Sequence, residues 1–317
     1  MKLLLRSIFK YAALLVVIFL LQGCTPENTY YTIDQNGNLG KVNVYIENDI
    51  TDAEAQAKLD AEIGTQTENI YVIGTTQLST ISINTNYDIR EIQIGSNKNL
   101  TTINISGIKT LRNISIGNVL SLPYPSTPIT VNCNDLETSM GVSINFQGNT
   151  NNIINFNKLK SVGWVYGLTI GGNFETLNFP ALESVTTFNF NIVKDVITFP
   201  SLKSVDTITG PIEIGFHQLN FPVLETLNNF DFPQLGYDTG ANVIVTFPHL
   251  KYCEYFRLNY AVRDSNVTNM LLHQFLTVLP ASGKSFGVVG GNAPPTGQGI
   301  IDKQTLIAQG NYIGTDY

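Results

Sequence analysis

Charge is scarce in this 317-residue chain: Asp, Glu, Lys and Arg together make up 14% of it, against about a quarter in an ordinary soluble domain. What charge there is runs acidic, with 25 acidic residues against 18 basic ones. An acidic surface repels phosphate backbones, so no nucleic-acid partner is expected. Histidine occurs three times, as His217, His249 and His273. None stands in an H-x-x-x-H, H-E-x-x-H or Cys-His arrangement with metal-ligand spacing. There is no G-x-S-x-G elbow, and residues 287–291 (GVVGG) do not match a phosphate-binding loop. These absences leave no cofactor, metal or catalytic centre to expect. Cysteine is limited to Cys24, Cys133 and Cys253, too few for a disulfide framework. Asn, Thr and Ser supply the polarity instead, so an apolar core is covered by uncharged hydrogen-bonding groups, as in stacked β architectures.

The N-terminus reads as an export signal. Lys2, Arg6 and Lys10 precede an uninterrupted apolar run, YAALLVVIFLL, over residues 11–21. That run is shorter than the roughly 20 residues a membrane-spanning helix needs and suits a signal-peptide core. It ends in Leu21-Gln22-Gly23-Cys24, which resembles the lipobox of bacterial lipoproteins. The resemblance implies cleavage before Cys24 and acylation of its thiol. Thr25 follows, not the aspartate that marks inner-membrane retention in some bacteria, so the expected location is the outer membrane and its cell surface. Removing residues 1–23 takes away three basic residues and no acidic one, which moves the net charge from −7 to −10.

Self-similarity organises the rest. LNFPALESV from Leu177, ITFPSLKSV from Ile197, LNFPVLETL from Leu219 and VTFPHLKYC from Val245 are copies of one step, preceded by the weaker VNCNDLETS from Val131 and INFNKLKSV from Ile154. The third position is Cys133, Phe156, Phe179, Phe199, Phe221 and Phe247, at intervals of 23, 23, 20, 22 and 26 residues. A period near 22 is the length of one solenoid coil. Upstream, Leu78-x-x-Ile81-x-Ile83 recurs every 11 residues as Ile89-x-x-Ile92-x-Ile94, Leu100-x-x-Ile103-x-Ile105 and Leu111-x-x-Ile114-x-Ile116. Two such units fit one coil, and the apolar-x-apolar alternation is that of a half-buried strand.

These repeats resemble the bacterial leucine-rich repeats of the surface-antigen (BspA-like) type, and the Phe-Pro-x-Leu step is similar to that of receptor L-domains. The resemblance spans residues 66–262. It implies a β-rich α/β solenoid, a right-handed coil stack like that of leucine-rich repeats, with short helical caps. The expected organisation is a signal peptide over 1–23, a lipidated tether over 24–45, an N-terminal helical cap over 46–65, the solenoid over 66–262 and a C-terminal cap over 263–317. Helices are expected over 51–63, 264–279 and 302–309, with Thr51 or Asp52 capping the first, Pro280 stopping the second and Gly310 ending the third. The tail resembles the C-terminal caps of repeat lipoproteins from gut bacteria and flavobacteria.

Aligned repeat positions stack into ladders. Between the two buried residues of each strand stand Asn132, Asn155, Asn178, Thr198, Asn220 and Thr246, with Ser82, Gln93, Asn104 and Ser115 at the same place in the 11-residue units. Stacked amides and hydroxyls stabilise parallel strands by bonding to one another; they also make a flat face for a glycan or an extended protein segment. After the repeat leucine come Glu137, Lys160, Glu183, Lys203, Glu225 and Lys251, alternating in sign without exception. This alternation penalises a slip of one coil, so it reads as register control. Cys133 and Cys253 both take core positions about five coils apart, roughly 25 Å, whereas a disulfide tolerates about 7 Å between Cα atoms. No bridge between them is expected.

The expected function is non-catalytic recognition at the cell surface. The first partner class is a host or neighbouring-cell protein, on the resemblance to surface antigens. The second is a glycan, on the Asn/Thr ladder and the candidate outward aromatics Trp164, Tyr166, Tyr252 and Tyr255. A structural role in the envelope is the third. A polysaccharide-cleaving β-helix would need carboxylates converging on one face, but Asp195, Asp206, Glu213 and Asp231 fall at different repeat phases. The anchor is directly testable: metabolic labelling with a palmitate analogue is expected to mark the native protein and not Cys24→Ser, which should also leave the membrane fraction. Equal labelling of both would refute lipidation at this residue.

Overall fold

The computed structural model describes residues 39–117, 127–146, 148, 151–210, 217–233 and 242–317. Cys24 therefore lies outside the described residues. Strands dominate, and every pairing between them is parallel. In a first ladder Asn43–Glu47 pairs with Asn69–Ile73, that strand with Glu91–Gly95, and that with Asn113–Gly117. The ladder continues through Thr138–Phe146, Ser161–Asn178, Ser184–Val193, Ser204–Thr209, Thr226–Phe232 and Tyr255–Leu258 to Ser285–Val288 and Tyr312–Thr315. A second ladder joins Thr80–Asn84, Thr102–Ser106, Thr130–Cys133, Asn152–Asn155 and the last residues of Ser161–Asn178. Val196–Thr198, Gln218–Asn220 and Ile244–Thr246 form a separate three-stranded sheet. Among the described residues of 66–262 there is no helix.

The 11-residue units are thus dealt alternately to the two ladders. Ser82 and Asn104 lie in register with Asn132 on the second ladder. Gln93 and Ser115 pair with each other on the first. The single run of ten polar positions expected from alignment is corrected accordingly: a unit of half a repeat returns the chain to the same face only every second time.

The pattern of isoleucines, leucines and phenylalanines decides which side of each strand is inside. Ile81, Ile83, Ile92, Ile94, Ile103, Ile105, Ile114 and Ile116 are all buried, as are the repeat leucines from Leu136 to Leu250. The third-position residues form one column of buried side chains. Phe156 stacks on Phe179 at 5.3 Å and Phe199 on Phe221 at 5.8 Å, with Phe179 and Phe199 tilted at 6.3 Å. A second column, Phe230, Phe256 and Phe286, stacks at 4.8 and 5.2 Å under the first ladder. Cys133 and Cys253 are buried and unbridged. Burial pushes both thiols up to about 12.

Helices stand at the flanks. Helix α1, Asp52–Glu62, starts at a capping box: the Glu54 N–H donates to the Thr51 hydroxyl oxygen, and the Thr51 N–H donates back to the Glu54 carboxylate. Its stripe Ala55, Leu59 and Ile63 is buried. Helix α2, Ser265–Phe275, is capped by Asp264, whose carboxylate accepts the Asn266 N–H at 2.9 Å. It ends before the stretch expected to reach 279. The buried Lys284 closes that end, its Nζ donating to the carbonyls of Phe275 (3.0 Å) and Val278. Helix α3, Gln298–Ala308, begins four residues ahead of the expected start at 302. Asp302 is buried inside the helix, accepting from Gln298 at 2.8 Å and meeting His273 of α2 at 3.0 Å. At the other flank, Asn43–Glu47 takes the last three residues of the segment expected as tether, because Val44 and Ile46 alternate into the core.

Phe221 lies within the aromatic column and is fully buried. Phe221→Ala is expected to lower stability by about 3–5 kcal/mol, measured by urea unfolding. A loss below about 1 kcal/mol would show that the column is not the core.

Candidate functional site

The polar ladder on the second face is bonded within itself. The Asn132 amide donates to Asn104 Oδ1 and the Asn155 amide to Asn132 Oδ1, both at 2.9 Å. Asn178 sits opposite Asn155 in register, but its amide donates to Asn157 Oδ1 at 2.9 Å. In the separate sheet the Asn220 amide donates to Thr198 Oγ1 (3.2 Å), and the Thr246 hydroxyl donates to Asn220 Oδ1 (2.7 Å). Six candidates thus fall into two groups, one on each side of the break between Asn178 and Val196.

Other polar positions do structural work that the repeat pattern does not reveal. The side chains of Asn97, Asn292 and Asn311 are buried and bond backbone groups of neighbouring segments. Asn97 Oδ1 accepts the Thr75 N–H (3.0 Å) while its amide donates to the Val72 carbonyl (2.9 Å). Asn292 Oδ1 accepts the Ala261 and Val262 N–H groups at 2.7 Å, and Asn311 Oδ1 accepts that of Lys284 at 3.0 Å. Each replaces a missing ladder bond at a bend, which satisfies backbone groups that would otherwise be buried unpaired. The only legible signal is an isolated asparagine beside a strand, after it at Asn97 and Asn292 and before it at Asn311.

The alternating charges form ion pairs in couples: Lys160 with Glu137 (2.7 Å), Lys203 with Glu183 (3.0 Å) and Lys251 with Glu225 (2.9 Å). Hydrogen bonds from Lys160 and Lys251 hold the carboxyls of Glu137 and Glu225 below their ordinary values. Backbone bonding extends the row upstream to Lys109, whose carbonyl accepts the Glu137 N–H.

Immediately after this row runs a second one. Thr110, Thr138, Ser161, Ser184, Ser204 and Thr226 pair in register along the first ladder. Unlike the asparagines, these six hydroxyls make no side-chain hydrogen bond among the described residues. They line a groove of about 970 Å³ that runs across the strands from Arg90 and Arg112 to Asp206 and Asn228.

One strand breaks the regularity of that groove. Between Val162 and Leu168 the Ser161–Asn178 strand carries five residues, where Ser184–Val193 carries only Thr186 and Thr187 between the matching Val185 and Phe188. The three extra residues are Trp164, Val165 and Tyr166. Val165 and Tyr166 are 53% and 55% exposed, and Met140 beside them on the neighbouring strand is 50% exposed. The Trp164 side chain lies outside the described residues. Two glycines make room for this bulge. At Gly141 a Cβ would come within 2.5 Å of the Tyr166 Cβ, and Gly167, at φ +66°, would press one to 2.4 Å from the Thr187 carbonyl oxygen. Tyr166 also borders a small polar recess with Arg112, Asn69 and Asn113.

The remaining candidates are engaged elsewhere. The Tyr252 hydroxyl bonds Glu254, and Tyr255 lies 5.7 Å from the Arg257 guanidinium. Asp195 meets His217 at 2.6 Å, Asp206 accepts from Asn228, and Asp231 takes a two-pronged bond from Arg257 at 2.6 and 2.8 Å. Glu213 lies outside the described residues. Set against known proteins, the chain matches no family model, no curated protein and no solved structure.

Replacing Asn155 and Asn220 together by Ala removes four side-chain bonds and is expected to cost about 2–6 kcal/mol, at roughly 0.5–1.5 kcal/mol per lost bond, and to leave ligand binding unchanged. A binding loss without a fall in melting temperature would return the ligand face to this ladder.

Proposed function

We propose that this chain is a lipid-anchored protein of the outer membrane, exposed at the cell surface, whose repeats form a leucine-rich-repeat-like, right-handed solenoid that binds an elongated partner without catalysis. The anchor reading rests on the sequence from Leu21 to Cys24. The solenoid reading is supported by parallel ladders whose successive strands are one repeat apart in sequence. The observation that carries the binding function is the bulge at Trp164, Val165 and Tyr166. In an array where every position is copied from one repeat to the next, three added residues, of which Val165 and Tyr166 are exposed, accommodated by Gly141 and Gly167, serve something other than the array itself. Bulges re-aim side chains and collect at functional sites. The partner runs along the groove, across the strands. A protein segment follows from the likeness to surface antigens, and a glycan from the character of the groove.

The test is deletion of Trp164, Val165 and Tyr166, which leaves Gly163 and Gly167 as the two residues between Val162 and Leu168 and so restores the spacing of the next strand. The full chain in detergent, screened against polysaccharides and extracellular-matrix proteins, is expected to bind at least one saturably. The deletion should weaken that binding at least tenfold while preserving the circular dichroism spectrum. Undiminished binding by the deletion variant would remove the groove from the proposal.

A further inference from the structure

The groove's own dimensions and chemistry bear on what it holds, and the inference that follows rests on the reading of the groove as the binding surface. Its hydroxyl row repeats once per strand, about every 4.8 Å, so six positions cover about 24 Å. An extended polypeptide presents equivalent groups to one side only every second residue, about every 6.6 Å, and falls out of step with the row within two rungs. Polypeptides also bind sheets by pairing with a free strand edge. Here the backbone of each rung is already paired on both sides, from Thr138 to Ser204. A chain of linked pyranose rings, by contrast, advances by about one strand spacing per ring and carries hydroxyl groups on both edges of each ring.

The charge along the groove points the same way. The neighbouring row is neutralised pairwise, Lys160 by Glu137, Lys203 by Glu183 and Lys251 by Glu225, so it presents no field of one sign to a charged polymer. The six free hydroxyls donate and accept equally well. At the bulge, the exposed Val165 and Met140 give the groove an apolar patch. The exposed Tyr166 ring, an apolar platform with a polar tip, borders the adjoining recess, which shares Arg90 and Arg112 with the groove, and the Arg112 guanidinium makes no ion pair among the described residues. We propose that the groove holds an uncharged glycan chain laid across the strands, one ring per rung, which extends into the adjoining recess with one ring packed against Tyr166.

The experiment is affinity electrophoresis of the full chain in detergent through gels containing starch, xylan, mixed-linkage β-glucan or galactomannan, with polygalacturonate and heparin as charged comparators. At least one neutral polysaccharide is expected to retard the protein, equally at low and high salt, since an uncharged ligand offers no screened interaction. Tyr166→Ala and the deletion of Trp164, Val165 and Tyr166 should each weaken retardation at least tenfold, with melting temperatures within a few degrees of the native chain. Retardation by the charged polymers alone, abolished by salt, would overturn the proposal, as would the absence of retardation by any neutral polymer. If a matrix protein binds instead and the deletion abolishes that binding, the glycan assignment fails while the groove stands. If a glycan binds undiminished by both variants, the siting in the groove fails.

Discussion

In-register parallel pairing between segments about one repeat apart is the constraint on which everything else in this molecule depends. It places each side chain directly against its counterpart from the next repeat, at a strand spacing of about 4.8 Å. Like therefore meets like along every row, and each row must be a kind of residue that tolerates its own company. Phenylalanine does so by stacking, as at Phe199 and Phe221. Asparagine does so because one amide both donates and accepts, as at Asn132 and Asn155. A charged row cannot, and the solution is the strict alternation of Glu and Lys that turns a repulsive column into the ion pairs of Lys160, Lys203 and Lys251. Exposed pairs of this kind contribute little to stability; their effect lies in penalising a slipped register, where equal charges would face each other.

The same constraint makes irregularity informative. An insertion in one repeat must be absorbed by its two neighbours, since both strands pair with it. The bulge after Val162 is absorbed by Gly141 on one side and by the positive φ of Gly167 against Thr187 on the other. Its result is to expose Val165 beside a row of small hydroxyl side chains and Tyr166 at the adjoining recess. The groove is therefore regular in its floor and singular at one point, a combination suited to holding a repetitive polymer and fixing it at one place.

The flanks show the other consequence of stacking. A ladder of parallel strands has two ends, and each would expose core. At the N-terminal flank α1 contributes Ala55, Leu59 and Ile63 to the buried set; at the C-terminal flank α2 contributes Val267, Leu271 and Phe275, tied down by the buried Lys284 at its end. The carboxylate of Asp302 joins α3 to α2 through His273, so the two C-terminal helices are held together by a polar contact as well as by packing.

Much of this was legible in the residues alone. Periodicity near 22 identified the rows, and the aliphatic alternation identified their buried members, because burial of a strand face depends on local spacing that any repeat preserves. The alternating charges, the core positions of Cys133 and Cys253, and helix α1 with its cap at Thr51 are of this local kind. What only the tertiary structure decided is which rows share a face, which polar groups are already partnered and where a cavity opens. Gln93 and Asn104 look equivalent in sequence and belong to different ladders; Asn155 and Ser161 are both polar repeat positions, yet one is bonded to its neighbour and the other is free above a groove. Those distinctions arise from how a chain folds back on itself every half repeat, a long-range property of register that no window of sequence contains.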